Sequence, residues 1–177
     1  MRIISGQFKS RRFKASKHLP VRPTTDRAKE ALFNILGHQY FYEELRVLDL
    51  FAGIGSISFE FASRGTIDIT AVDQNKGCTD FISKTAGELG IDLNIFTQDV
   101  TMFLSKSQGN YDIIFADPPY DLAREEFNSL IDSVLENNLL QKDGIFILEH
   151  SKHTDLSSHP KLVQQRNYGL STFSWFE

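Results

Sequence analysis

The sequence predicts an α/β fold: a doubly wound, mostly parallel sheet of seven strands closed by a C-terminal antiparallel pair, with a small basic hairpin ahead of it. Three observations carry this prediction. From residue 46 onward, short apolar runs alternate with stretches of helical periodicity, the pattern of parallel strands joined by crossover helices. The last two runs, 161–168 and 171–176, flank Gly169 and end the chain as a strand pair rather than a helix, which suggests an antiparallel hairpin at one sheet edge. Ile3, Ile4, Phe8 and Phe13 recur around Gly6 and Ser10 among basic residues, which reads as a small ordered hairpin.

The elements follow in order. His18 to Pro23 holds two prolines and reads as an extended connector, because proline disfavours helix in the residue before it. Thr24, Thr25 and Asp26 supply N-cap candidates for a helix over 26–37, with Ala28, Ala31, Leu32, Ile35 and Leu36 on one face. A strand at 46–50 leads through Gly53-Ile54-Gly55 into a helix ending near Ser63, and 67–72 forms the second strand. A helix over 76–89 follows, weakened at its start by Gly77, then a strand over 91–96 and a short helix over 100–106. A fourth strand at 111–116, a helix over 124–137 and a fifth strand at 145–149 precede the final pair.

At 177 residues and 41% hydrophobic, the chain fits one domain with a sizeable core. One cysteine, Cys78, excludes an internal disulfide and an all-cysteine metal site and suits a reducing compartment. The N-terminal stretch lacks the apolar centre of a signal peptide, and no apolar run approaches the roughly 20 residues of a membrane span, so a cytoplasmic address and no membrane partner are expected. The net charge of −4 hides an asymmetry: residues 1–30 carry nine basic and two acidic side chains, leaving ten basic and twenty-one acidic groups in the rest. A basic arm on an acidic body is an electrostatic footprint for a polyanion such as nucleic acid.

Ligands of open α/β sheets bind at the carboxyl ends of the strands. Here four consecutive strand ends carry an acid: Asp49, Asp73, Asp99 and Asp117. Gly53-Ile54-Gly55 lets backbone approach a ligand at a helix start, but Ser58 stands where a dinucleotide loop has its third glycine. Asp49 would sit badly beside a pyrophosphate and well beside a cation. Asp73 is placed to accept from two ribose hydroxyls, and Asp99 from the exocyclic amine of a purine. Ribose, purine and a positive group without phosphates describe S-adenosylmethionine. The bland alternative is that these acids only cap the helices that follow.

Asp117-Pro118-Pro119-Tyr120 asks for a second substrate. An exocyclic amine on a nucleobase is a poor nucleophile, because its lone pair is delocalised into the ring. A site that methylates it should accept hydrogen bonds from both N–H groups. The Asp117 carboxylate can take one, and the carbonyl of Pro118, on a ring-locked backbone, the other. Tyr120 offers a face for stacking the base.

These residues resemble a known family. FAGIG after a strand, an acid ending the second strand, and DPPY after the fourth are similar to the amino-methyltransferases that use S-adenosylmethionine. RIISGQFKSRRF, RPTTDRAKEALFNIL and DPPYDL closely resemble the bacterial 16S ribosomal RNA guanine-N2 methyltransferases, the RsmD family, and the resemblance covers nearly the whole chain. It implies a Rossmann-like methyltransferase domain over 21–177 with an RNA-contacting extension over 1–20. It implies methylation of a guanine N2 amine in 16S rRNA of the small ribosomal subunit, on a flipped base, with S-adenosylhomocysteine as the other product and no metal. Asp49, Phe51, Ala52, Gly53, Gly55, Asp73, Gln74, Asp99 and Val100 would hold the cofactor, and Asp117, Pro118, Pro119 and Tyr120 the base. Arg2, Lys9, Arg11, Arg12, Lys14 and Arg27 would face RNA, and Arg22 and Thr24, just ahead of the first helix, would reach either the target RNA or the methionine end of the cofactor. Asp73 departs from the family's common glutamate, which shortens its reach by one methylene.

The nearest alternative is N6-adenine methylation of DNA or another RNA; against DNA, no block of residues is left over for a recognition domain. A nicotinamide-dependent oxidoreductase would need the third loop glycine. A non-catalytic RNA-binding module would show decay at the glycine loop or at DPPY, and both are intact. Cys78 is expected as a small buried residue, His150 and His153 as loop residues, and Phe173, Trp175 and Phe176 as packing for the last strand. Nothing in the sequence demands more than a monomer.

Overall fold

The structure, a computed structural model, describes residues 1–177 except Lys17, Pro20, Arg22 and Pro23. Seven strands form one sheet: β1 (Arg46–Leu50), β2 (Asp68–Asp73), β3 (Asn94–Thr97), β4 (Tyr111–Ala116), β5 (Leu140–Ser151), β6 (Leu162–Tyr168) and β7 (Ser171–Phe176). Their order is β3-β2-β1-β4-β5-β7-β6. Pairing is parallel from β3 across to β5, and β7 lies antiparallel between β5 and β6. The helices are α1 (Asp26–Leu36), α2 (Ser56–Ser63), α3 (Lys76–Leu89), α4 (Val100–Lys106) and α5 (Arg124–Glu136). None is long and apolar enough to cross a membrane among the described residues.

Successive strand residues point to opposite faces, and both faces are covered, so the central strands read as unbroken apolar runs. Val47, Ile113, Ile145 and Phe173 pack on one face with Leu32 and Phe33 of α1 and Phe61 of α2. Leu48, Ile114, Phe146 and Phe176 pack on the other with Phe103 of α4 and Phe127 and Ile131 of α5. Trp175 is fully buried with the first group, as expected of the last strand.

Differences from the expected elements have local causes. The third strand forms at 94–97 rather than 91–96: Gly90 ends α3 in the left-handed region (φ 67°), and Ile91 and Leu93 pack back against the core before pairing begins. His150 is a strand residue, because β7 pairs with β5 as far as Ser151 opposite Ser171. It is buried, its Nδ1 contacts the Ser151 carbonyl (2.9 Å) and its Nε2 the Ser174 hydroxyl (2.7 Å); burial lowers its pKa, so the ring is neutral. His153 lies beyond the strand and is exposed. A 3-10 turn at Tyr42–Glu44, not expected, closes on the core when the Tyr42 hydroxyl donates to the Phe33 carbonyl (2.7 Å).

The N-terminal arm turns back on itself with a single antiparallel bridge, Arg2 to Arg12, rather than a ladder. Its inner surface is fitted to α2. Gln7 N donates to the Ser63 carbonyl (2.7 Å), the Gln7 amide to the Ala62 carbonyl (3.3 Å) and Phe8 N to the Ser63 hydroxyl (3.0 Å). The arm thereby satisfies carbonyls that the end of a helix leaves without partners. Gly6 is required there: it has φ +83°, and a Cβ would stand 1.8 Å from the Ser63 carbonyl oxygen. Ile3 is buried and Phe13 stacks on Phe59 with centroids 6.5 Å apart, so all eight residues of α2 are buried.

Behind the arm lies a chain of charges. Lys29 of α1, 1% exposed, donates to the Arg2 carbonyl (2.5 Å) and to Glu60 of α2 (3.1 Å), which also accepts from Ile4 N (2.8 Å). Arg64 pairs with the same carboxylate and lays its guanidinium 4.1 Å over the Phe33 ring. Buried charge is tolerated here because each group has several partners.

Candidate active site

The glycine loop leaves β1 through an unusual backbone. Phe51 (φ 57°), Gly53 (φ 55°) and Gly55 (φ 74°) all adopt left-handed conformations, and a Cβ at Gly55 would lie 2.9 Å from the Phe59 ring and 3.0 Å from Ile82. Phe51 is strained, since a non-glycine residue rarely adopts this region. Gly55 therefore sits behind the loop as packing, while Phe51, Ala52 and Gly53 line a cavity of about 520 Å³ at the carboxyl ends of the strands. That volume is in the range of small-molecule and cofactor sites.

The strand-end acids converge on this cavity. Asp49 is buried; its Oδ2 accepts from Ser58 N (3.0 Å) and the Ser58 hydroxyl (2.5 Å). Ser58, the position where a dinucleotide loop has glycine, thus orients the first acid. Burial pushes the Asp49 carboxyl up to about 7, against the pull of the two Ser58 hydrogen bonds. Asp73 accepts from Gly53 N (2.8 Å) and Asn75 N (2.8 Å), tying the glycine loop to the end of β2. Asp99 is the N-cap of α4, accepting from Met102 N (3.0 Å), so capping and cavity lining coexist at this residue. Gln74 and Val100 line the same space, and so does Cys78. Burial, with the Asp73 charge adding to it, pushes the Cys78 thiol up to about 11, so it is a neutral thiol and no nucleophile.

Asp117, Pro118, Pro119 and Tyr120 form the opposite wall. Asp117 N donates to the Leu50 carbonyl (3.3 Å), which sets DPPY directly beside the glycine loop across the β1–β4 seam. Pro118 is buried, Pro119 exposed and Tyr120 half-buried. The Tyr120 hydroxyl donates to Glu149 (2.9 Å) and contacts the Ser171 hydroxyl (2.8 Å). Burial and the Glu149 carboxylate push the phenol well above its ordinary range, so it stays a protonated donor. Glu149 and Ser171 were missed at the sequence level; an acid at the end of the fifth strand continues the series 49, 73, 99, 117, and that repetition was the available signal.

The expected RNA-facing residues divide. Lys9, Arg11, Arg12 and Lys14 are exposed on the arm, with the Arg11 guanidinium 5.9 Å from the Phe8 ring centroid. Arg2 is exposed and paired with Asp26 (2.7 Å), and Arg27 is exposed on α1. Thr24 is buried in the wall of the cavity, its hydroxyl donated to Glu149 (2.8 Å). Arg22 lies outside the described residues. No group of three or more His, Cys, Asp or Glu side chains is arranged to hold a metal among the described residues.

This sheet order, with its antiparallel β7 and a cavity at the strand ends, defines the α/β fold of S-adenosylmethionine-dependent methyltransferases. The solved structure of magnesium protoporphyrin IX methyltransferase from Synechocystis PCC 6803 with bound S-adenosylmethionine shares it, with a TM-score of 0.67, 16% identity and coverage of 84% of this chain and 77% of that one. The chain belongs to the family described as Conserved hypothetical protein 95, the RsmD family, whose model matches residues 1–177. YlbH of Bacillus subtilis is 31% identical over 179 residues, with 97% of this chain and 95% of that protein covered. Ribosomal RNA small subunit methyltransferase D of Haemophilus influenzae is 28% identical over 184 residues, covering 100% of this chain and 93% of that protein. The yhhF structure from Escherichia coli has a TM-score of 0.83 and 26% identity, covering 99% of this chain and 96% of that one.

Proposed function

We propose that this protein methylates the exocyclic N2 amine of a guanine in 16S rRNA of the small ribosomal subunit, using S-adenosylmethionine. The observation that carries this reading is the seam between β1 and β4, where DPPY meets a cavity walled by Asp49, Asp73 and Asp99. Three carboxylates around a glycine loop disfavour a phosphate-bearing ligand and suit a nucleoside with a positive charge. When bound, S-adenosylmethionine supplies an activated methyl group on a sulfonium and departs as S-adenosylhomocysteine. Asp73 and Asp99 would bind its ribose and purine, and Asp49 its positively charged end.

For the base, Asp117 and the Pro118 carbonyl accept from the two N–H groups of the amine, and Tyr120 stacks on the ring. The Pro118 carbonyl sits on ring-locked backbone and the Asp117 backbone is tied to the Leu50 carbonyl, so catalysis is alignment plus charge placement. The choice of small-subunit RNA is supported by the name of the Haemophilus relative, and the choice of guanine by the resemblance of RIISGQFKSRRF, RPTTDRAKEALFNIL and DPPYDL to the guanine-N2 methyltransferases. Radiolabelled methyl transfer to 30S particles, naked rRNA and DNA, followed by nucleoside analysis, tests it: N2-methylguanosine is expected, and N6-methyladenine or no product refutes it.

Two further outcomes follow from the site. Because Asp49 titrates near 7 and a cationic ligand favours its ionised form, cofactor affinity should fall as pH drops below about 7, by at most about tenfold per unit, and level off above it. Calorimetry across pH 5.5–8.5 checks this, with Asp49→Asn expected to flatten the profile. Stability runs the other way: the native state binds more protons than the unfolded chain between the usual 3.8 and about 7, so this group's contribution declines as pH rises through that window. Second, substituting Arg11 and Arg12 by glutamine should weaken RNA binding and reduce the slope of log K against log salt by about 1.5. An unchanged slope would show that neither guanidinium meets phosphate.

A further inference from the structure

We infer that Glu149 is a positioning residue for the base, locking the Tyr120 ring and Thr24 in one arrangement. This rests on the reading of Tyr120 as the stacking ring. Glu149 is buried in β5, and each of its carboxylate oxygens is used: Oε1 accepts from the Tyr120 hydroxyl at 2.9 Å and Oε2 from the Thr24 hydroxyl at 2.8 Å. A carboxylate only accepts, so the single phenolic proton points at Glu149. The Ser171 hydroxyl, 2.8 Å away, must then donate to the Tyr120 oxygen. Ser171 to Tyr120 to Glu149, with Thr24 entering from the other side, is a hydrogen-bond chain with one consistent direction.

The four members come from separate segments: the residue ahead of the α1 N-cap, the loop after β4, β5 and the first residue of β7. No basic side chain lies within ion-pair distance of Glu149 among the described residues. An apolar residue would fill the same space without the cost of burying a carboxylate. What the carboxylate adds is direction. It holds the Tyr120 ring at its hydroxyl end on the rigid sheet, while Pro118 and Pro119 hold it at its backbone end. A stacking ring fixed at both ends sets the height and tilt of the base relative to Asp117, and errors of about 1 Å in such geometry cost on the order of 100-fold in rate.

The test uses the full chain and 16S rRNA or 30S particles as substrate. Single-turnover methyl transfer, cofactor affinity by calorimetry and thermal melting are measured for Glu149→Leu, Glu149→Gln, Tyr120→Phe and the Glu149→Leu/Tyr120→Phe pair. The 19F spectrum of 3-fluorotyrosine-labelled protein is recorded in parallel, with the Tyr120 signal assigned from Tyr120→Phe. Glu149→Leu should slow methyl transfer by roughly 10- to 100-fold with cofactor affinity within about threefold, and shift the Tyr120 signal. Glu149→Gln, which keeps one acceptor, should recover most of the rate. In the Tyr120→Phe background, Glu149→Leu should cost no more than about a further threefold, because the two act through one contact.

An unchanged rate, or the same loss with and without the Tyr120 hydroxyl, overturns the inference. If the wild-type protein methylates no RNA, the proposed function has failed separately. The 19F signal then decides alone: an unmoved Tyr120 resonance in Glu149→Leu overturns the lock, and a shifted one sustains it. Should Glu149→Leu not fold, Ser171→Ala and Thr24→Val carry the comparison instead, each expected to slow methyl transfer and shift the Tyr120 signal, with Glu149→Gln as the near-wild-type control.

Discussion

Replacing Asp117 by alanine should lower methyl transfer by at least about 100-fold while leaving cofactor affinity within about threefold. The asymmetry follows from position. Asp117 stands on the wall of the cavity formed by DPPY, with its backbone fixed to Leu50, whereas the acids that would hold the cofactor lie at the ends of β1, β2 and β3. Alanine removes one of two acceptors aimed at the amine and leaves the Pro118 carbonyl alone. Asp117→Asn separates charge from geometry: it keeps the shape and one amide oxygen that can still accept from the amine, so it should lose less activity than alanine. Calorimetry and single-turnover assays on the same preparations decide. A large loss of cofactor binding would place Asp117 with the cofactor acids instead.

Lys29→Met should destabilise the protein by about 3 kcal/mol, because it leaves the fully buried Glu60 with one cationic partner instead of two. For a chain of this length that corresponds to a drop in melting temperature of roughly 6–12 °C. The double variant Lys29→Met/Glu60→Gln should melt higher than the single one, since the amide oxygen still accepts from Ile4 N and Arg64 while the underpaired carboxylate charge is gone. Thermal melts of the three proteins test this. Equal melting temperatures for wild type and Lys29→Met would mean that Arg64 alone compensates Glu60.

The sheet was legible because parallel strands covered on both faces must be apolar throughout, and their crossover helices carry a different period. The strand-end acids were legible for a related reason: a charge at the end of an apolar run stands out. Glu149 has the same signature yet escaped notice, because its role depends on Thr24, 125 residues away, and no local pattern records that contact. His150 was misplaced for a similar reason. The extent of β5 is set by β7, which arrives later in the chain. The third strand slipped because an edge strand with one side open imposes little pattern; only Ile95 is even half-buried among its four residues. In the sequence Lys29 is one of the nine basic side chains of residues 1–30, and only its contacts with the Arg2 carbonyl and Glu60 show it to be interior. Ser58 was noted as a missing glycine, and its hydrogen bonds to Asp49 became visible only in three dimensions.

The complete burial of α2 under the N-terminal arm governs how this molecule can be taken apart. A truncation that begins after residue 13, made to separate RNA contact from catalysis, would strip Phe59 of its cover and remove the arm's donors to Glu60 and to the carbonyls of Ala62 and Ser63. Such a fragment should precipitate or melt early, and its inactivity would say nothing about RNA. The guanidinium groups of Arg11 and Arg12 face outward from the same segment. They can be exchanged one at a time without disturbing what lies beneath, and that is the dissection the architecture permits.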